Sequence, residues 1–221
     1  MMEWLTHGRM RLALRRLTAA DGPSLLLLHG LGERSPDDCP SVYRKWPGPV
    51  WALDFTGHGQ STVPLGGGYT AEILMADVDA ALRHLGTATI VGRGLGAYVG
   101  LLAAGGRPQL VRGAVLLDGP GLAGGGSGSI TPFLPTVDTR QPSPPDPFAM
   151  AELALDVRPP DYATFFARQA AELSGLSRPI SVCACERPEW LAAVVCELGV
   201  EETNLAEALD HHQALAGQGP A

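Results

Sequence analysis

Three glycine-bearing turns and a few titratable side chains carry the chemistry open to this 221-residue chain. The turns read His29-Gly30-Leu31-Gly32, Asp54-Phe55-Thr56-Gly57-His58-Gly59-Gln60-Ser61 and Gly92-Arg93-Gly94-Leu95-Gly96. Each follows a short apolar run, at the strand ends where α/β proteins place their sites. Gly92 to Ala97 also satisfies G-x-G-x-x-A, and Asp118 lies 24 residues after Gly94, near the distance of a ribose-binding carboxylate in a dinucleotide site. That fingerprint belongs on a first strand, whereas two or more core strands precede it here, and it leaves the other two turns unexplained. His29 and His58 read as hydrogen-bonding braces within their turns, Asp54 as a turn cap, and His84 as a solvated helix residue. His211 and His212 are either polar residues near the C-terminus or a general base.

The elements that must position these groups alternate. Glu3–Thr6 and Met10–Leu17 read as two strands around the turn His7-Gly8. Ser24–His29 and Val50–Asp54 are continuous apolar runs suited to strands buried on both faces. Thr70–Leu85 has a helical stripe of Leu74, Val78, Ala81, Leu82 and Leu85, with Thr70 as its cap. Thr87–Val91 predicts a strand, Leu95–Ala104 a helix of small residues, and Val111–Asp118 another strand. This alternation predicts an α/β fold with a mostly parallel sheet. From Gly119 to Ser177 the texture changes: Gly119–Gly128 holds six glycines and Pro132–Pro147 six prolines, followed by helical stretches near Phe148–Leu155 and Asp161–Leu173. This segment is expected to be a lid, 119–177, inserted into a core of 1–118 and 178–221. Ile180–Cys185 predicts a strand, and Pro188 opens a helix running to Leu198. Val200–Leu209 is helical by propensity but a strand by the alternation.

Composition bounds the class. The net charge of -7 and the lack of a basic stripe argue against nucleic acid. The apolar stretch Gly94–Gly106 is 13 residues long, short of the ~18 of a spanning helix, so no membrane partner is expected. The opening Met1-Met2-Glu3-Trp4-Leu5 lacks a signal peptide's basic head, which predicts a cytoplasmic location. Cys39, Cys183, Cys185 and Cys196 lack paired spacing and read as reduced thiols. No metal or cofactor is expected, and the partner is a small-molecule substrate or ligand.

In order and spacing, the three turns resemble the α/β-hydrolase superfamily. The resemblance spans residues 3–118 well and 179–212 loosely. It implies an α/β-hydrolase fold with a nucleophile elbow at Gly92, Gly94 and Gly96, and an oxyanion hole from the amides of Leu31 and Leu95 beside Gly30. The chain departs from the family at the elbow's centre, where Gly94 stands in place of Ser, Cys or Asp, so no covalent intermediate forms there. The family's acid position after the seventh strand falls on Pro188. Asp118, Glu186 and Glu189 remain as alternative acids, and His211 or His212 as the base.

The mechanism this predicts is a water or substrate proton taken by His212 or His211, oriented by Asp118. Two amides would stabilise the resulting anion, in the space left by the missing side chain. The pocket would be lined by His29 and by lid residues including Phe133, Tyr162 and Phe166, fitting an apolar carbonyl compound. The rival reading is a catalytically dead relative that binds a small ligand or a protein partner.

Overall fold

The computed structural model describes residues 1–125 and 143–216. Eight strands form one sheet in these residues: β1 (Met2–His7), β2 (Met10–Arg16), β3 (Ser24–Leu28), β4 (Val50–Leu53), β5 (Ala88–Arg93), β6 (Val111–Leu117), β7 (Ile180–Val182) and β8 (Val200–Glu202). Their order is β1-β2-β4-β3-β5-β6-β7-β8. β1 and β2 pair antiparallel, as do β2 and β4, and all other neighbours are parallel. Helices α1 (Ala71–Leu85), α2 (Leu95–Gly106), α3 (Pro147–Leu155), α4 (Pro160–Leu173), α5 (Glu189–Val194) and α6 (Leu205–Ala216) complete it. This is the α/β-hydrolase arrangement.

The apolar runs explain the layers. In β3, Leu26 and Leu28 face one core, while Leu25 and Leu27 face a second on the other side of the sheet. Burial on both faces is what a continuous Leu run supplies. Thr70 caps α1 by accepting from the Ile73 amide at 3.4 Å, and the predicted stripe is buried at Leu74, Val78, Ala81 and Leu82 and partly buried at Leu85. Helix α2 lies close on the sheet because its glycines allow it: a Cβ on Gly96 would stand 2.5 Å from the Leu28 carbonyl oxygen.

Several elements end earlier than predicted. The strand expected over Ile180–Cys185 stops at Val182, because the Cys185 and Glu186 amides turn to the Asp118 carboxylate at 2.7 and 2.9 Å. The helix from Pro188 stops at Val194. The ambiguous stretch divides into the short strand β8 and a helix, α6. Asn204 caps that helix by accepting from the Glu207 amide at 3.0 Å. Between β6 and β7, α4 packs on α2 and α5.

Candidate functional site

The ends of β3, β4 and β5 bring the three turns together. In the first, the buried His29 ring hydrogen-bonds to the Gly30 carbonyl through Nδ1 (2.7 Å), while Nε2 accepts from the Phe55 amide (3.1 Å). One nitrogen donates and the other accepts, so the ring is neutral. Burial, with His58 nearby, pushes its pKa down to about 4. In the second turn, Asp54 accepts from the Ser35 amide (2.6 Å) and the Gln60 amide (2.9 Å). His58 is bonded to the Thr56 carbonyl and is also pushed down by burial. His29 and Asp54 are engaged in holding the turns, whereas His58 Nε2 is buried without a hydrogen-bond partner.

The third turn is a sharp strand-to-helix bend with Gly94 at φ 58, ψ -118, a region L side chains enter only with strain. A Cβ on Gly92 would meet the Gly96 carbonyl oxygen at 2.1 Å, so the bend is also tightly closed. The Leu31 and Leu95 amides converge on a single oxygen at 2.9 Å each, the geometry of an anion-stabilising pair. That oxygen is the chain's own Pro120 carbonyl. The room that the sequence left for a water beside Gly94 is filled in the same way. A Cβ there would lie 2.1 Å from the Pro120 oxygen and 2.6 Å from the Gly119 carbonyl carbon.

The segment bearing Pro120 is fastened in place. Leu122 donates to the Gly119 carbonyl at 3.2 Å. Arg158 Nη1 donates to the Gly121 and Leu122 carbonyls at 2.5 Å each, and Trp190 Nε1 donates to Leu122 at 2.8 Å. The Arg158 guanidinium lies 4.6 Å above the Tyr98 ring and, being buried, has its pKa pushed down to about 10. Beside the first turn, the Gly30 amide donates to Glu33, which also pairs with Arg93 at 2.8 Å.

The structure does not bring the expected acid and base together. Asp118 accepts from the Cys185 and Glu186 amides, one on each oxygen. Glu186 and Glu189 are exposed. His212 lies two turns inside α6, fully buried, with Nε2 3.0 Å from Ser181 Oγ and its ring against Gly113. Gly113 precedes Asp118 by five residues, roughly 16 Å along the strand direction. Burial, with His211 and Arg178, pushes His212 down to about 3. His211 sits against Arg178, 3.1 Å from its carbonyl. Ser181 and His212 have the spacing of a nucleophile and its base, but both are 0% exposed and no substrate reaches them.

Of the expected pocket residues, Phe166 packs its backbone against Gly105, at the far end of α2 from Gly94. Tyr162 meets Phe166 edge-on, with ring centroids 5.0 Å apart. Phe133 lies outside the described residues. Sequence reasoning missed Pro120, because a backbone carbonyl has no residue-type signature, and Arg158, which no motif marks. No group of three or more His, Cys, Asp or Glu side chains is placed to hold a metal among the described residues, and no helix among them is long and apolar enough to cross a membrane.

Sheet order, crossovers and turn placement define a hydrolase-fold protein. The alpha/beta hydrolase family profile matches residues 25–217, and the chain belongs to that family. Among solved structures, the thioesterase domain from the curacin biosynthetic pathway superposes with a TM-score of 0.68 at 16% identity, covering 98% of this chain and 97% of that one. An N-formylmaleamic acid deformylase from Pseudomonas putida gives 0.65 at 14%, covering 94% and 93%. A carboxylesterase structure from Nitrososphaera gargenis gives 0.61 at 16%, covering 92% and 89%. At these identities the likeness is one of fold. A search of curated proteins by sequence finds no match.

Proposed function

We propose that this chain is a non-catalytic member of the family that uses the fold to bind a ligand. One observation carries the reading: the Pro120 carbonyl sits on both amides that an acyl-transfer enzyme would offer to its substrate. Gly94 supplies no nucleophile, and the backbone of Gly119 and Pro120 takes the place where a side chain would project. A hydrolase gains its largest single rate term from such free, preorganised donors. Here they are spent in the resting fold. The reading in which Asp118 orients His211 or His212 as a base has less support, since Asp118 serves two backbone amides and His212 is sealed beneath the sheet.

The test is a panel of esters and thioesters assayed with the wild-type chain and the Gly94→Ser variant, plus labelling by a serine-directed organophosphate. The expected result is no turnover above buffer and no label in either. Protein-dependent turnover by the wild-type chain contradicts the reading.

A further inference from the structure

Helix α6 meets β6 and β7 through a histidine. His212 is 0% exposed. Its Nε2 lies 3.0 Å from Ser181 Oγ on β7. Its ring rests on Gly113 of β6, where a Cβ would stand 2.1 Å from Nδ1. Nδ1 itself is buried and has no hydrogen-bond partner. This seat suits the neutral ring and not the cation. An imidazolium donates from both nitrogens, and only the Ser181 hydroxyl is in place to accept. A buried charge with an unmet donor is strongly disfavoured. The helix has little else to hold it: of residues 205–215, only Ala208 and His212 are buried. Ala208 packs with Leu25, Val91 and Val115 on the sheet face beneath.

The charges around the seat oppose a proton as well. On α6, the His211 ring is centred 4.9 Å from that of His212. Arg178, just before β7, lies 3.4 Å from His211 Nδ1 and pairs with Glu201 of β8 at 2.5 Å. On β6, Arg112 donates to the Leu215 carbonyl at 3.4 Å. The carboxylates of α6 are placed elsewhere. Glu207 accepts from the Thr203 hydroxyl at 2.5 Å and acts on Cys183, beyond β7. Asp210 lines a surface groove with Tyr43 and Lys45, from the segment between β3 and β4. Burial first, then His211 and Arg178, push the His212 imidazole from 6.5 down to about 3. We propose that α6 is an acid-released latch: protonation of His212 frees the helix from β6 and β7 while the rest of the sheet stays folded. The inference is independent of the Gly94 turn and holds whether or not the chain turns over an ester.

The experiment is native-state hydrogen exchange by NMR on the full chain between pH 7 and pH 5. Each rate is divided by the intrinsic rate at the same pH, giving an opening constant for each amide. His212 binds a proton near pH 6.5 when open and near 3 when closed, so opening is favoured as pH falls below 6.5. The amides of residues 209–215 should open at least about 10-fold more at pH 5 than at pH 7. The rise should steepen toward tenfold per pH unit, the signature of one proton taken up per opening. At pH 5 these amides should still open at least about 10-fold more often than those of Ile90 and Val91 in β5, which report unfolding of the sheet. In His212→Gln the α6 opening constants should change by less than about 3-fold over the same range. The wild-type series decides the matter even if that variant does not fold. Opening constants of α6 that do not rise with acid, that equal those of β5 throughout, or that rise as much in a folded His212→Gln would each overturn the proposal.

Discussion

At residue 94 glycine presents no side chain and admits the Gly119–Pro120 backbone. Restoring a side chain therefore carries a cost. Gly94→Ala combines a residue with Cβ at φ 58 with a carbonyl oxygen 2.1 Å from that Cβ. Strained backbone alone costs about 1–3 kcal/mol, and about 2–4 °C of Tm is lost per kcal/mol in a domain of this size. Thermal unfolding should show Gly94→Ala melting at least about 5 °C below wild type; an unchanged Tm would mean that the Pro120 segment moves aside freely. The sequence made the bare apex at Gly94 legible, because a side chain is absent at a recognisable turn. It did not make the occupant legible, because that group is a carbonyl whose position depends on the path of the chain after β6.

At the scale of elements, α2 shows how close approach sets tolerance. A Cβ on Gly96 would meet the Leu28 and His29 carbonyl oxygens at 2.5 and 2.7 Å, and backbone does not yield. Gly96→Ala should cost about 1–3 kcal/mol or more, read as lowered Tm. One turn along, a Cβ on Gly100 would meet only the Ile90 Cγ2 methyl at 3.2 Å and Leu28 Cδ1 at 3.8 Å. Gly100→Ala regains helix propensity worth about 1 kcal/mol and should stay within that margin of wild type. Equal losses in the two variants would contradict this packing. Among the elements, strands and early helices were legible because Leu runs and the α1 stripe state their burial directly. The C-terminal part was harder. Asn204 with Glu207 three residues on is a capping pattern, and reading it would have placed His211 and His212 inside a helix. Asp118 was legible as a strand-end carboxylate, but not its partners, which come from a segment 67 and 68 residues away.

For the whole molecule, buried imidazoles set the response to pH. His29 and His212 titrate at about 4 and about 3 in the folded chain, against 6.5 when exposed. Folding therefore excludes protons: their stabilising contribution is complete above pH 6.5 and is lost as pH falls from 6.5 toward those lowered values. Each imidazole adds a slope of up to about 1.4 kcal/mol per pH unit. Denaturant unfolding at pH 7 and pH 5 should show marked loss at the lower pH, and His212→Gln should lose less over the same interval. An identical slope in the two proteins would contradict the burial of His212 as the cause. The fold as a whole was the most legible level, since three turns, alternating texture and apolar runs all demand the same sheet.

Whether one carbonyl holds both amides is read directly by residue-resolved hydrogen exchange in NMR. Leu31 and Leu95 should both exchange at least about a hundredfold more slowly than unprotected amides, in step with one another because they share the Pro120 oxygen. Exchange of either amide at the rate of a free loop would mean that the anion-binding pair stands open in solution, and the non-catalytic reading would fall with it.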